Sequence, residues 1–344
     1  MITRKDIHDL STQNTFGMKV SCACFIQYDK AEDLNELDFQ ALPQPVLHIG
    51  AASNLLFTGD FAGTILHSGI KYIKYLDMGL SEVLVVVGAG VLFDDFVAQT
   101  CGHGLWGAEN LSLIPGEVGA AAVQNIGAYG AEVKDIISGV VCYDTQTRTK
   151  CTFKVNECNY GYRTSRFKEA PDKGRYIVTS VLFRLSRSYS PKLDYKGLRE
   201  ALGGEEPKTP LQVREAVIKI RMEKLPDPSV MGSAGSFFKN PVIDTEKFAD
   251  IERIAKIKNG DDYQVPHYVV GPDSVKVPAA WLIDQCGFKG MRRGNAAVHD
   301  VQPLVLVNYT GNATPDEILE LEGLIVSEVY DKFGIELIPE VEHI

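Results

Sequence analysis

The chain has 344 residues, 45% hydrophobic and 23% charged, with a net charge of −10. That length suffices for two or three domains of ordinary globular composition. The acidic balance argues against a nonspecific nucleic-acid footprint, which needs a basic face, and the longest apolar runs fall far short of a membrane span.

The N-terminal stretch lacks the apolar segment of a signal peptide. Seven cysteines, without C-x-x-C spacing, read as buried thiols in a reducing cytosol; Cys22 and Cys24 sit at strand spacing on one face. Short apolar runs follow at Pro45 to Ile49 and Gly63 to Leu66. Val83 to Val87 reads as a buried strand, and Phe93 to Gly102 as a helix. The Gly88-x-Gly90 turn between them resembles a Rossmann phosphate loop. Phe93, however, stands where a third glycine would allow close helix–strand packing. A tight turn touching a cofactor is the alternative.

The segment LIPGEVGAAAVQNIGAYGAEV, Leu113 to Val133, sets Gly116, Gly119, Gly127 and Gly130 around Gln124 and Asn125. Glycine permits positive φ and close backbone approach. Successive backbone N–H groups in such turns bind anions. The two amides suit a heterocycle edge or a ribose. The segment reads as a cradle for a large phosphate-bearing cofactor, or more plainly as two tight turns beside a buried hairpin.

Ile136 to Tyr143 and Tyr176 to Leu185 alternate as strands. Between them, CNYGYRTSRFK gathers Arg163, Arg166 and Lys168 beside Tyr160 and Tyr162. This is either a site for a carboxylate or phosphate or a solvated basic loop. GGEEPKTP, Gly203 to Pro210, breaks the pattern as a boundary would. Thr209, Pro210 and Gln212 then start a capped helix running to Lys224. In GSAGSFFKNP, Ser236 lacks the G-x-S-x-G context of a hydrolase nucleophile, and a satisfied turn hydroxyl is its plainer role. Thr314, Pro315 and Glu317 start a helix that carries Ile318, Leu321, Leu324, Ile325 and Val329 to a core and closes at Gly334. A strand is predicted over Ile335 to Ile338, ahead of PEVEHI and its Glu340. The succession is α+β, with one two-lobed nucleotide-binding region and a separate domain; no metal site is expected.

Taken in order over nearly the whole chain, NTFG (Asn14 to Gly17), ASNLLF, ENLSLIPG, QNIGAYG, YGYRTSRFK, KLPDP, AGSFFKNP, AAWLIDQCGFKG and PEV are similar to the UDP-N-acetylenolpyruvoylglucosamine reductase family. AAWLIDQ and Tyr195 in LDYKGL match its longer form. The resemblance implies an α+β fold with a two-lobed FAD-binding domain of the vanillyl-alcohol-oxidase type. The lobes would cover 1–74 and 75–208, with 335–344 returning to the first, and 209–334 would form a substrate-binding domain. It also implies FAD and NADPH as cofactors, a UDP-sugar substrate, and a cytoplasmic, monomeric enzyme of peptidoglycan precursor synthesis.

By the same resemblance, FAD lies along Ser53, Asn54, Gly88, Gly90, Ile114, Pro115, Gly116, Gly119, Ala120, Gln124, Asn125, Ile126, Gly127 and Arg221. Tyr162, Tyr195, Lys224, Asn240 and Gln302 hold the substrate, and Arg163, Ser236 and Glu340 carry catalysis. The chain departs from the family at Ala51 and Ala52, which limit positive φ. It departs again at Ala121 and Ala122, where hydroxyl residues often meet the pyrophosphate, and at Glu342, a position often basic. An oxidase or dehydrogenase of the same fold acting on another substrate, and a flavin-free UDP-sugar-binding protein, stand as alternatives.

Overall fold

The computed structural model describes every residue from Met1 to Ile344. The chain divides into two compact units: Met1–Asp9, Ser21–Ala52 and Asp60–Glu223 form the first, and Leu10–Val20, Ser53–Gly59 and Lys224–Ile344 the second. No helix is long and apolar enough to cross a membrane.

The first unit holds two sheets. In one, Ile2–Asp9 pairs antiparallel with Ser21–Tyr28, which pairs parallel with Phe61–Ser68 and that in turn with Val46–Ile49. Cys22 and Cys24 are both buried in the second of these strands. The other sheet is antiparallel, in the order Thr149–Lys154, Ile137–Asp144, Tyr176–Ser186, Glu82–Gly88, Ile73–Asp77. Its strand Glu82–Gly88, between Tyr176–Ser186 and the edge strand Ile73–Asp77, buries Val83, Val85 and Val87 on one face, the period-2 pattern of a sheet. The helix Phe93–Gly102 lays Phe93, Phe96 and Val97 onto that core, and Phe96 stacks on Phe183 at 4.3 Å. Tyr143 and Ile177 of the antiparallel sheet pack with Cys24, Ile26, Tyr28 and Leu66 of the first, so the two sheets share a core.

The helix Pro210–Lys224 starts as its capping residues predict: Gln212 Oε1 accepts from the backbone N–H groups of Lys208 and Thr209 at 2.6 and 3.2 Å. Its stripe of Val213, Ala216, Val217 and Ile220 is buried with Trp106, Leu193 and Leu198. The helix therefore belongs to the first unit. The break between units falls after Glu223, not in the Gly203 to Pro210 turn, because a boundary sits where few contacts cross.

In the second unit, Gly232–Ser233, Leu306–Asn308, Ala296–Val298 and Arg292–Arg293 make one sheet, and Val242–Asp244, Ser274–Lys276 and Tyr268–Gly271 another. The helix Pro315–Phe333 begins at a Thr314–Glu317 capping box and closes on Gly334 at φ 60°. The strand expected over Ile335 to Ile338 is not formed. Ile335 and Leu337 are buried, as alternation requires, but this extended stretch has no ladder partner. The terminal strand is Glu342–His343, parallel to Leu55–Leu56. Burial alternation reports which side chains point inward, not whether the backbone is paired.

One acid breaks the apolar face of Pro315–Phe333. Glu322 is 9% exposed and its Oε2 has no hydrogen bond, although His343 Nε2 lies 3.2 Å away. Burial pushes the Glu322 carboxyl up to about 7 and holds His343 below its ordinary value. A carboxyl raised in the folded state stabilises it fully below the unfolded value, near 4.5, and that contribution is lost as pH rises through about 7. Glu322→Gln should therefore flatten the stability-against-pH curve between those limits. Urea midpoints measured across that range would run parallel in parent and variant if Glu322 carried no such linkage.

Candidate active site

The helix Val118–Gln124 ends at Asn125 in the left-handed region, φ 48°, ψ 59°, which asparagine tolerates better than most residues with a Cβ. Asn125 is 0% exposed. Its Nδ2 donates to the Gly161 carbonyl at 2.8 Å and to Glu132 at 3.2 Å, and its Oδ1 accepts from Lys134 N–H at 3.2 Å. The amide expected to meet a heterocycle or ribose is thus spent on the chain itself. It anchors the turn that carries Arg163, two residues beyond Gly161. Arg163 adopts φ 56°, its Nη2 donates to the Gly127 carbonyl at 2.8 Å, and its guanidinium stands 5.4 Å from the Tyr162 ring centroid. Tyr162 is exposed, and Gln124, Ile126 and Gly127 are half-buried.

The glycines upstream are demanded first by packing. A Cβ on Gly88 would overlap the Ile70 carbonyl, one on Gly90 the Ser68 carbonyl, and one on Gly119 would lie 2.9 Å from Ala89 Cβ. Phe93, in the third Rossmann position, is fully buried in the core, so the loop is a tight turn. Gly116 has φ 110° and its carbonyl accepts Phe93 N–H at 3.0 Å. Ile114 packs half-buried against the core, and Pro115 and Ala120 are exposed.

The family departures act differently from expectation. Ala52 adopts φ 46° despite its methyl group, so alanine does not keep this turn from its shape; it stores strain of about 1–2 kcal/mol. Ala121 and Ala122 are 4% and 0% exposed, part of the core. Under the same turn, a Cβ on Gly50 would lie 3.3 Å from Glu117 Oε2, and Glu117 pairs with His67 at 2.8 Å.

Arg221 lies on the Pro210–Lys224 helix. Its Nε is buried without a partner, and burial lowers its pKa against the opposing pull of Tyr129 and Asp94. Tyr129 meets Tyr195 edge-on at 4.9 Å. Three residues not singled out from sequence order this region. Asn110 Nδ2 bonds the carbonyls of Tyr129 and Lys192 at 2.7 and 2.8 Å, and Asp94 takes a bidentate bond from Arg214 at 2.5 and 2.8 Å. No motif spacing marks them; only tertiary contact does.

The second unit brings Ser236, Glu340 and Asn54 together. Gly235 turns at φ 73°, and Ser236 follows half-buried, its hydroxyl making no hydrogen bond within the chain. A satisfied turn hydroxyl is therefore not its role. Glu340 N–H donates to the Phe237 carbonyl at 2.8 Å, Asn54 Nδ2 donates to the Glu340 carbonyl at 2.9 Å, and Glu342 N–H donates to the Asn54 carbonyl at 3.0 Å. Ser53 is half-buried beside them in sequence. Asn240 Oδ1 accepts Ala279 N–H at 2.9 Å, at the start of the helix Ala279–Gln285. Gln302 N–H donates to His299 Nδ1 at 3.1 Å, and Lys224 is exposed. Arg163 stands on the first unit, so the expected trio is divided between the two.

Residues 24–149 match a family model described as an FAD binding domain. With the two-sheet first unit and its glycine turns, this makes the chain an FAD-dependent oxidoreductase. Residues 227–344 match UDP-N-acetylenolpyruvoylglucosamine reductase, C-terminal domain. Reductases of that name from Bacteroides fragilis and Porphyromonas gingivalis are 46% and 44% identical, covering 98% and 100% of this chain and 99% and 100% of their own. The chain belongs to the UDP-N-acetylenolpyruvoylglucosamine reductase family. The crystal structure of the Thermus caldophilus reductase shares the fold, with a TM-score of 0.67 at 23% identity over 100% of this chain and 98% of that one.

The orphaned Arg221 Nε suits the anionic groups of FAD. Asn125→Ala should unfold more easily by about 2–4 kcal/mol, combining the left-handed penalty with buried partners left unsatisfied. Asn125→Gly, relieved of the first term, should fall between; equal urea midpoints for all three chains would contradict the anchoring role.

Proposed function

We propose that the chain reduces the enolpyruvyl ether of UDP-N-acetylglucosamine enolpyruvate to UDP-N-acetylmuramate, with Arg163, Ser236 and Glu340 dividing the work. The observation that carries this is Ser236: a half-buried hydroxyl, after a left-handed glycine, that the chain leaves unbonded. The reaction serves peptidoglycan precursor synthesis.

An enol ether is electron-rich and resists hydride. Conjugation with a carboxylate makes its terminal carbon an acceptor. The hydride comes from NADPH by way of bound FAD, which is the chemistry that cofactor supplies. Ser53, Asn54, Ile114 to Gly116, Ala120, Gln124 to Gly127 and Arg221 would hold it, with Gly88, Gly90 and Gly119 shaping the backbone beneath. Hydride addition drives negative charge into the substrate carboxylate. Arg163, its fork oriented by the Gly127 carbonyl, stabilises that charge where it develops. Ser236 gives the proton to the neighbouring carbon. Glu340, fixed by Phe237 and Asn54, orients the reacting group. Tyr162, Tyr195, Lys224, Asn240 and Gln302 bind the UDP-sugar; Asn240 does so with Nδ2, since its oxygen is engaged. A cytoplasmic setting suits seven free thiols, which oxidising compartments disfavour.

Arg163→Lys keeps the charge and loses the planar fork. It should retain FAD and lose mainly sugar-nucleotide reduction; normal turnover would remove Arg163 from the mechanism. Ser236→Ala should leave flavin bleaching by NADPH intact and slow reoxidation by the enolpyruvyl sugar by on the order of 10²–10⁴-fold. Stopped-flow traces of the two half-reactions read this directly, and unchanged reoxidation would end the proton-donor assignment.

A further inference from the structure

We infer that the Asp94–Arg214 pair is a positioning device for the cofactor, holding Arg221 and the Leu113–Gly116 loop in register with each other. The inference rests on the assignment of Arg221 and Ile114 to Gly116 to FAD.

Asp94 sits in the first turn of the helix Phe93–Gly102. Its Oδ1 accepts both Leu113 N–H and Arg214 Nη1 at 2.5 Å, and its Oδ2 accepts Arg214 Nη2 at 2.8 Å. The Arg214 and Asp94 side chains are only 11% and 27% exposed. A bidentate fork of this kind fixes direction as well as distance. Leu113 stands at φ 58°, a region costly for a residue with a Cβ, and the Asp94 bond holds it there at the entrance to Ile114, Pro115 and Gly116.

The other arm of the clamp runs along the Pro210–Lys224 helix. Arg214 and Arg221 lie about two turns apart on one face of it. Arg221 is near enough to Asp94 for its charge to act there. Burial pushes the Asp94 carboxyl up, but the Arg214 bonds, the Leu113 N–H and the charges of both arginines outweigh it, and the pKa is lowered. One carboxylate thus grips the loop and the helix that carries the unpartnered Arg221 Nε.

The sign of one effect separates positioning from simple electrostatics. FAD is anionic, so removing the Asp94 charge would tighten binding if charge alone mattered. Loss of the clamp weakens it instead. Holoenzyme is diluted until FAD dissociates, and free-flavin fluorescence gives Kd, at a temperature where circular dichroism shows each variant folded. Asp94→Asn should raise the FAD Kd on the order of tenfold or more, the scale of a lost charge-assisted hydrogen bond. Arg214→Lys, which preserves charge and stem, should do the same. Tighter binding in Asp94→Asn, or a lowered Tm with unchanged Kd in both variants, overturns the inference. Arg221→Ala is the control: unchanged FAD affinity there overturns the underlying assignment, whereas weakened affinity there with normal clamp variants overturns the clamp alone.

Discussion

The chain between Gly107 and Asp135 is buried or half-buried at most positions but lies mostly outside any sheet, and its N–H and C=O groups must still be bonded. Side chains supply what a ladder would. Asn110 holds the Tyr129 carbonyl, Asn125 holds Gly161 and Lys134, and Asp94 holds Leu113. These bonds bracket the proposed cofactor contacts from Ile114 to Gly127, whose own backbone is held by the helix Val118–Gln124 and by backbone bonds to Phe93 and Ala89. The arrangement explains why so polar a set of residues is tolerated near the core. Each is satisfied, and a satisfied buried network rigidifies where a half-satisfied one would cost stability.

The same constraint distinguishes scaffolding residues from those exposed to chemistry. Asn125 and the Asn54 amide have their bonds within the chain; Ser236 and Arg221 Nε do not. A native protein rarely leaves a buried polar atom unmet, so Arg221 Nε is a better pointer to a ligand than any glycine, while the half-buried Ser236 hydroxyl stays open to a partner from outside the chain. Gly88, Gly90 and Gly119 illustrate the converse. The space a side chain would need is filled by neighbouring backbone or by Ala89, so packing alone accounts for them.

Much of the architecture was legible because local signals coincide with it. Capping residues placed the helices Pro210–Lys224 and Pro315–Phe333, and a continuous apolar run placed the strand Glu82–Gly88 that precedes the helix Phe93–Gly102. The ordered family motifs carried the cofactor and the reaction. What escaped depends on tertiary contact. Asp94 and Arg214 are 120 residues apart, and no spacing rule joins them. Ala52 occupies a conformation that its residue type disfavours, held by surroundings a sequence does not display. Ala121 and Ala122 looked like lost ligand contacts and are core. Glu322 lies within an apolar stripe, where a pattern of hydrophobic positions has no means of flagging an acid that turns inward.

The charge balance poses a last problem that local structure resolves. The chain carries −10 with a pI near 5.3, yet FAD, NADPH and a UDP-sugar all bear phosphates. At physiological salt, exposed charges more than about 8 Å apart are largely screened, so the acidic surface is a weaker obstacle than its sum suggests. Attraction must come from cations held close and dry. Guanidinium suits this because it is weakly hydrated and stays protonated. Burial makes the Arg221 charge costly on its own, and an approaching anion relieves that cost. Cations presented singly, in fixed geometry, favour a small ligand with a few well-placed phosphates or carboxylates. They offer nothing to a long polyanion, which needs a continuous basic face.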